Sequence, residues 1–398
     1  MNDFEQQLEQ QLAGIREQDL YRELRPVDSP QATRLLVGRR ELLNFSSNDY
    51  LGLADCPQLK EAAKRAVDEF GAGSGASRLV CGSLAIHHQL DDALAAFKGA
   101  GAALSFSSGY ATAMAALCAL LDKDDILIID KLVHACIVDG ARLCGAKLRV
   151  FAHNDLNDLE KKLKWADKQR CAAGKRPRIL IAAESVYSMD GDLAHLRDIV
   201  ELKDKHGAWL LLDEAHGTGL YGEHRRGLAE ACELAGRVEI QMGTLGKAIG
   251  AAGGYICGSR KLIDVLINQA RSFIFSTAPV PAAAGAAKAG VEIIASGEGE
   301  LRRKRLWALV DLLKSSLVGK GWVLPPVQSA IIPLVVGEES RAMQLAEALR
   351  ESGIFVPAIR YPTVARGEAR LRVTLSANHT AEEVDQLAFT MGALKARV

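Results

Sequence analysis

The chain of 398 residues has no surplus of either charge, with 49 Lys and Arg against 49 Asp and Glu. Without a global field there is little to draw it to nucleic acid or to an anionic membrane, and small-molecule chemistry is the better expectation. Its eight cysteines, at 56, 81, 118, 136, 144, 171, 232 and 257, form no C-x-x-C pair and no Cys/His cluster at zinc spacing. That excludes a disulfide framework and a structural zinc site, and the thiols are expected to be reduced and mostly buried. The first residues lack the basic and then apolar layout of a signal peptide, so a cytoplasmic location is expected. An uncharged run over 99–121 has the ~20 residues a bilayer requires, but Ser105, Ser107, Ser108, Thr112 and many Gly and Ala make it a poor membrane span.

Several catalytic motifs are missing as well. Gly246-Lys247 could end a phosphate-binding P-loop, but Gln241 and Ala248 stand where Gly and Ser or Thr are needed. Without a P-loop, the helicase-like spelling Asp213-Glu-Ala-His216 carries no ATPase reading. There is no G-x-S-x-G and no H-E-x-x-H, which removes the common serine-hydrolase and zinc-protease readings. Gly71, Gly73 and Ala76 fit a loose G-x-G-x-x-A, but a helix precedes them where a dinucleotide turn needs a strand. A glycine-rich loop near a ligand is expected there instead.

The 36 glycines, about 9 per cent against a usual ~7, suit the many strand-to-helix turns of an α/β protein. Length suggests two or more structural units. Apolar spacing predicts an amphipathic helix over 3–24 and a strand over 42–45, and then helices over 58–70 and 85–97. Strands follow at 102–106, 125–130, 147–151, 178–183, 208–213, 238–243 and 253–257, mostly alternating with helices. That alternation predicts a largely parallel sheet covered on both faces. Long helices over 281–296 and 299–318 and a helix over 339–352 predict a smaller α+β unit. The expected domains are 1–45, an N-terminal helix and strand, 46–280, the large α/β domain, and 281–398, the small domain. The basic stretch 161–178, which includes Lys175 and Arg176, reads as a solvated helix and loop, with no interleaved aromatics to suggest nucleic acid.

The chemistry centres on residues 242–254, where Lys247 sits among glycines and alanines that let a flat ligand approach. Desolvating a lysine ammonium favours the neutral, nucleophilic amine, which suits a Schiff-base lysine. Upstream, the apolar run 209–212 ends in Asp213, with His216 on the following loop. Ligands of open α/β sheets bind at such strand ends. An aspartate there can keep the ring nitrogen of pyridoxal phosphate protonated, so that the ring accepts electrons. At 107–110, Gly109 opens a helix whose first N–H groups could hold a phosphate, and Tyr110 could supply a ring edge. His134 follows another strand end. Arg360 and Arg372 lie in two sites suited to carboxylate or phosphate.

These residues sit in motifs that resemble the α-oxoamine synthases, pyridoxal-phosphate enzymes of fold type I. The motifs are Asn44-Phe-Ser-Ser-Asn-Asp-Tyr-Leu-Gly-Leu53, Phe151-Ala-His-Asn-Asp155, Ser188-Met-Asp-Gly-Asp192, Asp213-Glu-Ala-His-Gly-Thr-Gly219 and Thr244-Leu-Gly-Lys247. The resemblance implies an acyltransferase in which Lys247 carries the coenzyme, Asp213 pairs with its ring nitrogen, His216 meets its ring hydroxyl and His134 stacks on the ring. Ser188 would touch it too. Ser108, Gly109, Tyr110 and Thr244 would hold the phosphate. Ser276 or Thr277 would reach the phosphate of a neighbouring subunit, which implies a homodimer. Arg22, Asn48, Arg360, Thr363 and Arg372 match substrate positions, with Asn48 and Arg372 on the amino-acid carboxylate. Residues 358–364 and 369–375 are most similar to the branch that joins L-alanine to a pimeloyl thioester in biotin synthesis. Glycine-using branches and non-catalytic subunits of the same fold are the alternatives, and the acyl donor is either CoA-bound or carried on a protein.

Overall fold

The computed structural model describes residues 3–18, 20–172 and 177–395. Lys175 and Arg176 of the basic stretch, and Cys171 as a thiol, lie outside what it describes. The chain forms two compact units, residues 48–306 and residues 1–47 with 307–398. The sequence boundary at 281 therefore moves to 306, inside the helix Gly297–Gly319. Packing accounts for the shift. Helix Pro281–Ala295 lies against helix Pro57–Phe70 so closely that a Cβ on Gly285 would stand 2.8 Å from the Ala62 carbonyl oxygen.

In the large unit, seven strands among the described residues form one sheet. Across the sheet the order is Ala102–Phe106, Gly254–Gly258, Ile240–Thr244, Trp209–Asp213, Ile179–Glu184, Ile126–Asp130 and Lys147–Phe151. The strands run parallel except Gly254–Gly258, which is antiparallel to both neighbours. Runs such as Ile179–Glu184 and Ile126–Asp130 are buried along their whole length, as a sheet covered on both faces requires. One face packs on Ala113, Leu117, Ile137 and Leu266, the other on Leu159, Leu163, Ile199 and Val200. The expected α/β fold of type I, helices on both faces and a smaller α+β unit, is the observed one. Because the strands are parallel and in register, Asp130, Glu184 and Asp213 end them along one edge. The uncharged run 99–121 is a strand followed by the helix Gly109–Leu120, and no described helix is long and apolar enough to cross a membrane.

Among the described residues, the small unit holds two three-stranded sheets. The hairpin Arg34–Val37 to Arg40–Asn44 turns on Gly38 and Arg39, at φ 56° and 67°, the left-handed pair that a tight two-residue turn demands. Only its second strand was expected from the sequence. The helix expected over 3–24 stops at Glu17. Beyond it lie a fully exposed Leu24 and then Pro26, so a longer helix would bury nothing in return for its ordering. Helices Arg260–Gln269 and Ala381–Lys395 were not expected.

Candidate active site

Asp213, buried at its strand end, accepts the Ala215 N–H at 2.9 Å. Its register partner Glu184 is also buried and accepts the backbone N–H groups of His134 and Ser188. Burial pushes the Glu184 carboxyl up to about 8, and the neighbouring Asp213 charge adds to the effect. Burial raises Asp213 as well, against the pull of the Lys247 ammonium. Such a pair of desolvated carboxylates at one edge calls for a cationic partner.

Lys247 sits half-buried on the turn between the Thr244 and Gly254 strands. The turn is held close to the chain at residue 53, since a Cβ on Gly250, at φ 75°, would meet the Leu53 carbonyl carbon at 2.6 Å. The Lys247 amine lies 2.7 Å from His216 Nε2, and His216 Nδ1 lies 2.6 Å from the Tyr50 hydroxyl. Tyr50 in turn donates to Asn48 Oδ1 at 3.2 Å.

Ser108 caps helix Gly109–Leu120, its hydroxyl accepting the Ala111 N–H at 3.1 Å. A Cβ on Gly109 would stand 3.2 Å from the Thr244 methyl, and one on Gly254 only 2.4 Å from Thr112 Oγ1. Glycine at these positions lets the helix start, with its free donors, sit directly over the strand end. The Tyr110 hydroxyl donates to Asp139. His134 caps the next helix, Ala135–Leu143, with Nδ1 accepting the Cys136 N–H at 3.2 Å. Nδ1 is therefore the unprotonated nitrogen. Burial of that edge, and then the Lys247 charge, hold the imidazole below its ordinary value, so the ring is neutral.

The large unit thus brings together Lys247, Asp213, His216 and His134 with the Glu184 that Ser188 helps to hold, and it seats Ser108, Gly109 and Tyr110 beside Thr244. Ser276 and Thr277 lie on a different segment, where Thr277 bridges to Ser77 and the Ala278 N–H donates to the Ala76 oxygen at 3.0 Å. The glycine-rich loop is therefore stitched to them. In the small unit, Arg22, Arg360 and Thr363 line one cleft of about 520 Å³. Arg360 donates to the Tyr21 carbonyl at 2.7 Å, across a loop that includes the cis Tyr361–Pro362 bond. Arg372 is buried in strand Ala369–Thr374 of the same unit.

Sequence reasoning missed Glu184 and Tyr50. Glu184 ends an apolar run as Asp213 does, a signal that was legible, whereas Tyr50 stood unremarked inside a quoted motif. It also left unexplained the two motifs at 151–155 and 188–192, which meet in a charge knot. His153 bridges Asp130 at 2.9 Å and Asp192 at 2.8 Å, and Asn154 donates to both. The helicase-like Glu214 is likewise structural, accepting the Leu228 and Ala229 N–H groups at 3.0 and 2.9 Å. Among the described residues no group of His, Cys, Asp and Glu could hold a metal ion.

The sequence model of the family described as aminotransferase class I and II matches residues 40–390. The 8-amino-7-oxononanoate synthase of Geotalea daltonii is 45% identical over 95% of this chain and 94% of its own. That of Anaeromyxobacter dehalogenans is 46% identical over 94% and 92%. Among solved structures, a serine palmitoyltransferase with its PLP internal aldimine superposes at a TM-score of 0.92, with 27% identity and 99% of both chains covered. The 8-amino-7-oxononanoate synthase of Francisella tularensis does so at 0.73, with 27% identity over 89% of this chain and 98% of that one. With its motifs, its fold and its relatives in agreement over nearly the whole length, the chain belongs to the aminotransferase class I and II family and, within it, to the α-oxoamine synthases.

Proposed function

We propose that the protein is a pyridoxal-phosphate-dependent acyltransferase that joins L-alanine to a pimeloyl thioester, with loss of carbon dioxide, to give the 8-amino-7-oxononanoate of biotin synthesis. The observation that carries this reading is the Lys247 amine 2.7 Å from His216 Nε2, on the loop that follows the buried strand-end Asp213, together with a helix start stripped of side chains. The donor set suits a flat aldehyde with a basic ring nitrogen and a phosphate. When bound, pyridoxal phosphate supplies an electron sink for the carbanion at the amino-acid Cα.

Lys247 would carry the coenzyme, and Asp213 would keep its ring nitrogen protonated. The raised Asp213 carboxyl, costly as a lone buried charge, becomes a stable anion against such a cation. His216 would meet the ring hydroxyl, and the neutral His134 would lie flat on the ring with Ser188 beside it. Ser108, Gly109, Tyr110 and Thr244 would take the phosphate. Displaced from the coenzyme's aldehyde carbon by the amino acid's nitrogen, the Lys247 amine would stay close to the Cα attached to that nitrogen, where it could take up the Cα proton and later return it. Asn48 and Arg372 would hold the amino-acid carboxylate, with Arg22, Arg360 and Thr363 contacting the substrates.

Leu79, Val80 and Phe275 are 51, 78 and 71% exposed, on the two segments joined through Ser77 and Thr277. This apolar surface supports a homodimer in which Ser276 or Thr277 completes the partner's phosphate site. The test is an absorbance spectrum with pyridoxal phosphate, where a band near the visible edge should appear and be removed by borohydride. Product is then sought with L-alanine or glycine, and with pimeloyl-CoA or pimeloyl-carrier protein. A colourless protein would refute the reading, and product from glycine but not from L-alanine would refute the choice of substrate.

A further inference from the structure

His87 is the third residue of the helix Ala85–Lys98, it is fully buried, and backbone groups hold both of its ring nitrogens. Nδ1 lies 3.1 Å from the Leu84 nitrogen, whose N–H can only donate, and Nε2 lies 2.8 Å from the Pro279 carbonyl oxygen, which can only accept. The ring therefore carries its proton on Nε2. Accepting the N–H of the residue before the helix is half of a capping box, so one end of His87 closes the helix start. The other end grips a segment 192 residues away. Burial, the largest influence on the imidazole, holds it below its ordinary value, and a second proton on Nδ1 would face the Leu84 N–H.

The Pro279 carbonyl also accepts the Ser74 hydroxyl at 2.6 Å, the Ala278 N–H donates to the Ala76 oxygen at 3.0 Å, and Thr277 bridges to Ser77. Residues 277–279 thus run along the glycine-rich loop, and His87 reaches them from the helix that follows it. The end of that loop is fixed in turn by the buried pair Arg78–Asp91 at 2.7 Å. Asp91 accepts the Ser105 N–H at 2.8 Å, on the strand that leads to Ser108. We propose that His87 is a positioning residue that holds Ser276 and Thr277 in place for a coenzyme phosphate, setting coenzyme affinity without touching the coenzyme. The Ser74 hydroxyl turns freely about its bond, whereas a planar imidazole held at both nitrogens also sets how far the Pro279 carbonyl stands from the helix start. This inference rests on the function proposed above for the phosphate of a neighbouring subunit as the ligand of Ser276 and Thr277.

The test is an absorbance titration of the coenzyme-free protein with pyridoxal phosphate. His87→Leu, which removes both bonds, should weaken binding about 10-fold, the scale of one lost hydrogen bond to a charged group. His87→Gln, whose amide offers both an acceptor and a donor, should bind as wild type does. A paired Ser276→Ala, Thr277→Ala variant should show a similar loss, and adding His87→Leu to it should cost little more, because residues that act through one another do not add. In protein labelled with 15N at histidine, with His87 identified among the nine histidines by its loss in His87→Gln, the proton should lie on Nε2. A proton on Nδ1 overturns the proposal even if His87→Leu does not fold. So do losses that add in full in the combined variant, since His87 would then act by another route. A weakened paired variant beside an unchanged His87→Leu overturns this proposal alone, whereas a paired variant that binds as wild type does refutes the phosphate contact itself and the proposal with it.

Discussion

Two aspartates end parallel strands along the same edge of the same sheet, and both are buried, yet their carboxyls move in opposite directions. Burial pushes Asp130 up, but His153 and the N–H groups of Asn154 and Leu132 overcome it and hold it below its ordinary value. Asp213, with the Ala215 N–H and the Lys247 field to offset its burial, stays above. The environment of a strand end does not decide the state of its carboxylate; the number of donors aimed at it does. One aspartate is saturated and serves the fold. The other is left needing a cation, and that need is what a ligand with a protonated ring nitrogen would satisfy.

The sharpest contrast comes from removing the cation on the reactive side. Lys247→Ala should abolish the borohydride-sensitive band and lower turnover about 10³-fold or more, while thermal unfolding changes little, as spectra and melting curves would report. Asp130→Asn should do the reverse, keeping the band but costing about 3 kcal/mol in urea unfolding, because it leaves His153 with a single partner. Asp213→Asn should cut turnover about 100-fold without destabilising the coenzyme-free protein. If Asp213→Asn unfolds as readily as Asp130→Asn, the two carboxylates do not serve different ends.

The pH dependence sharpens the same comparison. Its hydrogen bonds to Asp130 and then Asp192 outweigh burial and raise His153 from its ordinary 6.5 to about 10. A histidine raised on folding contributes stability that is fully present below its unfolded value and lost as pH climbs through the folded one. Unfolding free energy should therefore decline between about pH 6.5 and 10, and His153→Asn should flatten that slope. The smallest effect is expected at the phosphate end of the site. Ser108→Ala removes the helix cap and should cost about 1 kcal/mol, together with a modest loss of coenzyme affinity measured by dialysis.

Much of the fold was legible because its signals are local. Strand 102–106 is an apolar run broken only by Ser105, and the helix after it is announced by Ser108 and Gly109. The N-terminal helix was overextended because nothing in the apolar spacing marks the end at Glu17 before Pro26 is reached. The domain boundary was misplaced because the sequence shows only that helix 281–295 is apolar, not which unit covers it. Within the site, Lys247, Asp213 and His216 could be paired from their positions relative to strands. Tyr50 could not, because its importance lies in where its hydroxyl ends up, 166 residues from its histidine partner.

Residue order alone determined the alternation of strands and helices, and with it the edge on which strand-terminal carboxylates and helix-starting N–H groups must gather, since parallel strands all end on one side. Only the tertiary structure decided which of those carboxylates are neutralised and in which direction the hydrogen bonds run. Both depend on donors brought within about 3 Å by distant parts of the chain, and no local pattern encodes that distance.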